Sequence, residues 1–323
     1  MSDYTLLVTY SLLLLLVAIY AICKIGHTPF RLISSAWIAV FIASLSSAYA
    51  QTSPNTSSAI QTKENTSKKP SIISLSPAAT ELIYTLGVEA HLLAVDKNSN
   101  YPIATKNLPN MGDPFRPSAE SMALLQADIV IPFTENPILQ SLQKQLGFEL
   151  LPMQPQNIPA LLDFAQQLNL RLNAQKAPQI QQWKAQWQQL QQRFPAQNKT
   201  IFVFLGTNPL FTLGKNAFLT QSLHTCGVKS LFEEQPQASL MISVEALLSH
   251  TPDIIIAGID TQQPRQAQIQ RIKQDLHTIG LNIQESQIIT EDQDILFRPS
   301  IRFLQALPEL CQRIQATTPS DRY

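Results

Sequence analysis

Two glutamates stand in the same local setting 125 residues apart. The first stretch reads Ser118-Ala119-Glu120, with Met122 just beyond and then Asp128-Ile129-Val130-Ile131. The second reads Ser243-Val244-Glu245, with Leu247 just beyond and then Asp253-Ile254-Ile255-Ile256. A Ser followed two residues later by a carboxylate marks a helix N-terminus, and the Asp with its apolar run marks a buried strand. Two chemistries suit the glutamates. Two exposed carboxylates at a fixed separation give orientation and register to an encounter and mainly affect its rate. Alternatively, each only favours its own helix terminus, by about 0.3–1 kcal/mol. A chain that builds this unit twice is expected to have two similar lobes and a cleft between them.

Catalysis finds little support. A nucleophile needs a general base nearby, yet the five histidines are scattered: His27 near the N-terminus, then His91, His224, His250 and His277. None belongs to a Ser/His or Cys/His motif. There is no Gly-rich phosphate loop, no G-x-S-x-G and no H-E-x-x-H. No enzyme, no resident cofactor and no metal site is expected. Formal net charge is zero, which leaves no electrostatic footprint for nucleic acid.

The elements that position the glutamates follow from pattern. Ser71 to Leu75 reads as a buried strand, and Ser76-Pro77 opens a helix that stops at Gly87. Leu92–Val95, Asp128–Phe133 and Glu149–Met153 read as further strands, with a helix over Pro137–Leu146. This alternation predicts mostly parallel sheets covered on both faces. Between 158 and 194 the chain is Gln-rich and helical. Ile180, Trp183, Trp187, Leu190 and Phe194 form a stripe on one face, and a helix over Gln175–Arg193 would run close to 30 Å. Its tryptophans read as core. Beyond it lie a strand Thr200–Leu205, a loop Gly206–Lys215, a helix to Cys226, the second Ser-x-Glu unit, a helix over Pro264–Ile279, a strand Gln287–Ile289 and a last helix Ser300–Arg313.

The N-terminus reads as a targeting segment. Ala36 to Leu45 is apolar, follows Lys24 and Arg31, and ends in Ala48-Tyr49-Ala50, the layout of a secretory signal cleaved after Ala50. A second apolar run, Thr5 to Ile22, is barely long enough to span a bilayer; it either anchors the protein in the inner membrane or precedes the true start. Residues 51–70 are too polar to fold. Once the leader is removed Cys226 and Cys311 remain. In an oxidising compartment they can pair, worth roughly 4 kcal/mol in the chain-entropy model; the alternative is two separate buried thiols.

Ser74-Leu75-Ser76-Pro77-Ala78-Ala79-Thr80-Glu81-Leu82 resembles the opening of the helical-backbone, type III periplasmic binding proteins of ABC importers. Gly206-Thr207-Asn208-Pro209-Leu210-Phe211-Thr212-Leu213-Gly214-Lys215 is similar to the second-lobe loop of the members that bind vitamin B12, cobalamin. The resemblance covers Lys69 to Ile314. It implies an α/β fold of two similar lobes with mostly parallel sheets, joined by one long backbone helix. The divisions are then 1–50 hydrophobic segment and signal, 51–70 linker, 71–173 first lobe, 174–198 backbone helix, 199–316 second lobe and 317–323 tail. It implies a monomeric periplasmic protein that carries cobalamin or a related corrinoid to the membrane subunits of an importer.

Site residues follow from the same resemblance. Glu120 and Glu245 would face arginines of the transporter, and Cys226 and Cys311 would form the disulfide. Tyr101 and Phe133 would lie against the corrin ring, Phe211 would supply a second-lobe aromatic, and Asp294 and Arg298 would face the corrin side-chain amides. Plainer readings of the same residues are core for Phe133 and Phe211, a turn for Tyr101, and a pairing of Arg298 with Asp294 or Asp292 alone. The sequence departs from the family at Pro114 and near Ser239, where tryptophans are usual; Phe115, beside the first, would fill that space as a ligand contact, and no aromatic stands near the second. This thinner cage leaves haem or a ferric siderophore as the alternative ligand, with Tyr101 available as a haem axial ligand.

Overall fold

The computed structural model describes residues 69–318. The expected leader, anchor and signal, nearly all of the linker, and residues 319–323 lie outside the described residues.

The first lobe runs β1 (Ile72–Leu75), α1 (Pro77–Thr85), β2 (Leu92–Val95), α2 (Ala119–Leu125), β3 (Ile129–Pro132), α3 (Pro137–Leu146) and β4 (Glu149–Leu150). Its strands form one parallel sheet in the order β2-β1-β3-β4. Helices α4 (Ile158–Arg171) and α5 (Ala177–Gln191) follow. The second lobe runs β5 (Thr200–Phe204), β6 (Phe211–Leu213), α6 (Phe218–Leu223), β7 (Lys229–Ser230), β8 (Ser239–Met241), α7 (Val244–Leu248), β9 (Ile254–Ile259), α8 (Arg265–Thr278), β10 (Ile288–Asp292), α9 (Gln293–Leu296) and α10 (Ile301–Ala316). Its main sheet is again parallel, in the order β10-β9-β5-β7.

The repeated aspartates explain why their spacing is kept in both lobes. Asp128 Oδ2 accepts from the Ser71 amide and hydroxyl, both at 2.7 Å. Asp253 Oδ2 accepts from the Thr200 amide at 2.7 Å and the Thr200 hydroxyl at 3.0 Å. In each lobe the carboxylate at the start of one strand stitches the first residue of its parallel neighbour, fixing register where the ladder begins. In the second lobe Asp253 is buried and Thr200 half-buried, whereas the first-lobe stitch is exposed.

β4 stops at Leu150 rather than Met153, the helix expected to reach Cys226 ends at Leu223, β7 and α9 were not expected, and two differences bear on the site. The backbone helix is shorter than Gln175–Arg193. Asn173 and Gln175 have φ of 51° and 57°, a left-handed conformation that ends α4 and separates it from α5. The fifteen residues of α5 span about 22 Å. Its stripe is buried as the periodicity predicts, with Trp183 and Trp187 in the core. The loop before Lys215 also contains a strand: β6 pairs antiparallel with β8 in a separate two-stranded ribbon. Three-residue strands whose partner lies nearly thirty residues away carry no local signature.

One apolar cluster runs from the first lobe (Ile72, Leu82) through Trp183 and Trp187 to the second (Ile254, Phe303, Leu307). Cys226 and Cys311 are disulfide-bonded within it, joining the turn after α6 to α10. Among the described residues no helix is long and apolar enough to cross a membrane.

Candidate ligand-binding cleft and docking faces

A cavity of about 580 Å³ opens where the two lobes meet. The first lobe contributes Phe133, just past the end of β3, and the loop Gln154-Pro155-Gln156. The second contributes Leu205, just past β5, with Leu213 and Ser239 of the ribbon, Phe218, and Phe297 past α9. A cleft outside the carboxyl ends of parallel strands is where open α/β sheets place ligands, and the volume is that of an ordinary small-molecule site. Its walls mix aromatic faces with side-chain amides, the complement of a flat apolar ligand with a polar edge.

Phe297 is a wall residue that sequence reasoning missed. It is 39% exposed, and its ring lies so close to Gly258 that a Cβ there would sit 2.4 Å from Phe297 Cε2. The signal in the sequence was Gly258 itself, a glycine inside a strand run, which often marks a close approach.

The ribbon supplies a second missed residue. In its register Phe211 faces Met241 and Leu213 faces Ser239. Alternation puts these four on one face, while Thr212 on the other is buried and donates to the Val203 carbonyl at 2.9 Å. Phe211 is thus one cross-strand pair away from the cavity wall, not core, and Met241 beside it is 67% exposed. Met241 extends apolar surface next to Ser239, where the aromatic is lacking.

The remaining expected residues are placed as follows. Phe133 lines the cavity. Tyr101 is half-exposed, with the Arg302 guanidinium 3.9 Å from its ring centroid, a cation–π contact. Phe115 is exposed, its amide donates to Asp113 Oδ1 at 2.9 Å, and it is not among the residues lining the cavity. Asp294 and Arg298 do pair, at 2.8 Å, but they also reach across to the first lobe. Arg298 Nη1 donates to Glu81 Oε1 at 3.0 Å and to Asn100 Oδ1 at 2.8 Å, and Nη2 donates to the Asn98 carbonyl at 3.2 Å. Asn100 Nδ2 donates to Asp294 Oδ2 at 2.8 Å.

The loop that carries Asn98, Asn100 and Tyr101 is held by a buried relay. Asp96 accepts from the Asn98 amide at 2.8 Å and from the Ser99 hydroxyl at 2.6 Å. The Ser99 and Thr80 hydroxyls lie 2.9 Å apart, and Thr80 donates to Ser74 at 2.8 Å. Burial pushes the Asp96 carboxyl above its ordinary pKa, against the lowering effect of the Ser99 hydrogen bond.

Glu120 and Glu245 occupy the same place in matching short helices. Ser118 caps α2, accepting from the Ser121 amide at 3.2 Å, and Ser243 caps α7, accepting from the Ala246 amide at 3.2 Å. Both glutamates are exposed, while Met122 and Leu247 below them are buried. Its own backbone amide and then the Ser243 hydroxyl hold the Glu245 carboxyl below the usual range.

Two α/β lobes, a connecting helix and one cleft shared between the lobes define a solute-binding protein. Residues 72–285 match the periplasmic binding protein family, and the chain belongs to that family. Curated vitamin B12-binding proteins are similar to it. That of Pectobacterium carotovorum is 26% identical over 256 residues, covering 77% of this chain and 89% of that protein. That of Salmonella typhimurium is also 26% identical over 256 residues, covering 76% and 90%. Among solved structures, the periplasmic vitamin B12-binding protein of Vibrio cholerae matches with a TM-score of 0.64 at 22% identity, over 77% of this chain and 97% of that one. The periplasmic haem-binding protein of the same organism matches with a TM-score of 0.63 at 19% identity, over 76% and 99%. These two likenesses show the fold.

Proposed function

We propose that this chain captures cobalamin or a related corrinoid in the periplasm and delivers it to the membrane subunits of an ABC importer, without catalysing a reaction. The observation that carries the reading is the cleft itself. Phe133 from one lobe and Phe297 and Phe218 from the other line one cavity beside Gln154, Gln156 and Asn216. A corrin offers a broad apolar face and a fringe of amides, so it uses both kinds of wall. A ligand larger than the cavity would extend over Phe211, Met241 and Tyr101, all exposed. Fold alone does not choose the ligand, since vitamin B12 and haem binders match almost equally well; the vitamin B12-binding relatives support the corrinoid.

Glu120 and Glu245 serve as the docking carboxylates, one per lobe. Their exposure and their identical capped setting support this, because a fixed pair of charges selects orientation during encounter. The test of the ligand is a calorimetric titration of the purified protein with cyanocobalamin. One-to-one binding at low-micromolar Kd or tighter is expected. No binding of any corrinoid, with binding of haem or a ferric siderophore instead, would replace the ligand and keep the fold.

A further inference from the structure

We infer that Glu81 is the positioning residue of the cleft: its buried carboxylate latches the second lobe to the first and, through Arg302, sets the ring of Tyr101. Glu81 lies on α1 of the first lobe and is 3% exposed. Two arginines of the second lobe converge on it. Arg298 donates at 3.0 Å. Arg302 donates to both oxygens, Nε to Oε2 at 2.9 Å and Nη2 to Oε1, a forked grip that orients the guanidinium as well as binding it.

The same Arg302 guanidinium covers Tyr101 at 3.9 Å, so the carboxylate that orients Arg302 also fixes one face of the ring, which is otherwise half-exposed. The Glu81 carboxylate and the hydrogen bonds it makes raise the Arg302 pKa, overriding the lowering effect of burial. Asn100, next to Tyr101, completes the seam by accepting from Arg298 and donating to Asp294.

Two consequences follow. First, Asp294 and Arg298 act on the lobe-to-lobe seam, and their effect on the ligand passes through the geometry they hold. Second, the seam is balanced in charge, with Glu81 and Asp294 facing Arg298 and Arg302; Glu81 is buried and the other three are half-buried, so salt screens it less than it screens an exposed pair. The spacing of the cleft walls is set before ligand arrives, a form of preorganisation.

The affinity arm of the test rests on the corrinoid reading; the exchange arm does not. Amide hydrogen exchange is measured on the ligand-free protein and on Glu81→Gln, whose amide would point a donor at one of the two guanidinium groups. Exchange in residues 97–101 and 293–298 should quicken about tenfold, while β3 and β9 stay as protected as before. In the same variant the Kd for cyanocobalamin should rise about tenfold. Unchanged exchange at the seam, a uniform rise across the chain, or an unchanged Kd would each overturn the inference. Arg302→Lys is the second variant should Glu81→Gln fail to fold, because lysine keeps the charge but loses the fork and the planar stack. It should alter the near-ultraviolet tyrosine signal and weaken the same ligand; neither change would also overturn it. If the native protein binds no corrinoid, the corrinoid reading fails, and exchange and the tyrosine signal alone decide the latch.

Discussion

Phe133→Ala tests the cleft most directly. Phe133 is 41% exposed in the unliganded protein. A phenylalanine presents about 200 Å² to its surroundings, so about 80 Å² is left for a ligand to cover. At about 25 cal/mol per Å² that is about 2 kcal/mol, or about thirtyfold in Kd. The stability cost should be small, because the ring already meets water. The assay is calorimetric titration of the native protein and the variant with cyanocobalamin. Leu170→Ala serves as the control: Leu170 is 70% exposed on α4 and does not line the cavity. A Phe133→Ala Kd within threefold of native, or an equal loss in Leu170→Ala, would refute both the ring's role and the area argument.

Three further outcomes are expected. Asp253→Ala should cost about 2 kcal/mol in urea unfolding and Asp128→Ala about 1, because Asp253 is buried and water reaches the half-buried Thr200 donors less readily than it replaces the exposed first-lobe stitch; equal costs would refute the burial argument. The pair Cys226→Ser and Cys311→Ser should lose about 4.5 kcal/mol of stability, the chain-entropy value for a closed loop with a sequence separation of 85, and an unchanged urea midpoint would show that the bridge does not constrain the unfolded chain. Asp96 binds its proton more tightly folded than unfolded, so its contribution to stability is complete below its ordinary pKa of 3.8 and is lost as pH rises through the folded value. The stability difference between Asp96→Asn and the native protein should therefore move in the variant's favour as pH rises above that point, and a pH-independent difference would contradict the shift.

Much of this was legible in the chain. The duplicated Ser-x-Glu…Asp unit announced two lobes because it is a local instruction: a cap, a first-turn carboxylate and a strand start. The Trp183–Trp187 stripe showed its buried face for the same reason. What the sequence hid depends on distant residues. Glu81 sits in a stretch that marks the family, yet its partners lie more than two hundred residues away, and a glutamate on a helix otherwise reads as solvated. Arg298 was assigned to the ligand by the family resemblance, and its pairing with Asp294 was the plainer reading; its contacts with Asn100 and Glu81 of the other lobe left no mark in the sequence. Met241 comes beside the cavity wall through a ribbon register that short strands do not declare. Gln175 looked helical by composition, and only its left-handed backbone ended that reading.

The apolar cluster that passes unbroken from Ile72 through Trp187 to Leu307 bears on inheritance. A lobe borrowed from a relative would have to match the other lobe and the helices between them at once, since residues of both lobes belong to one apolar cluster. Ligand preference in this chain can therefore change by substitution around the rim of the cleft, but not by shuffling halves.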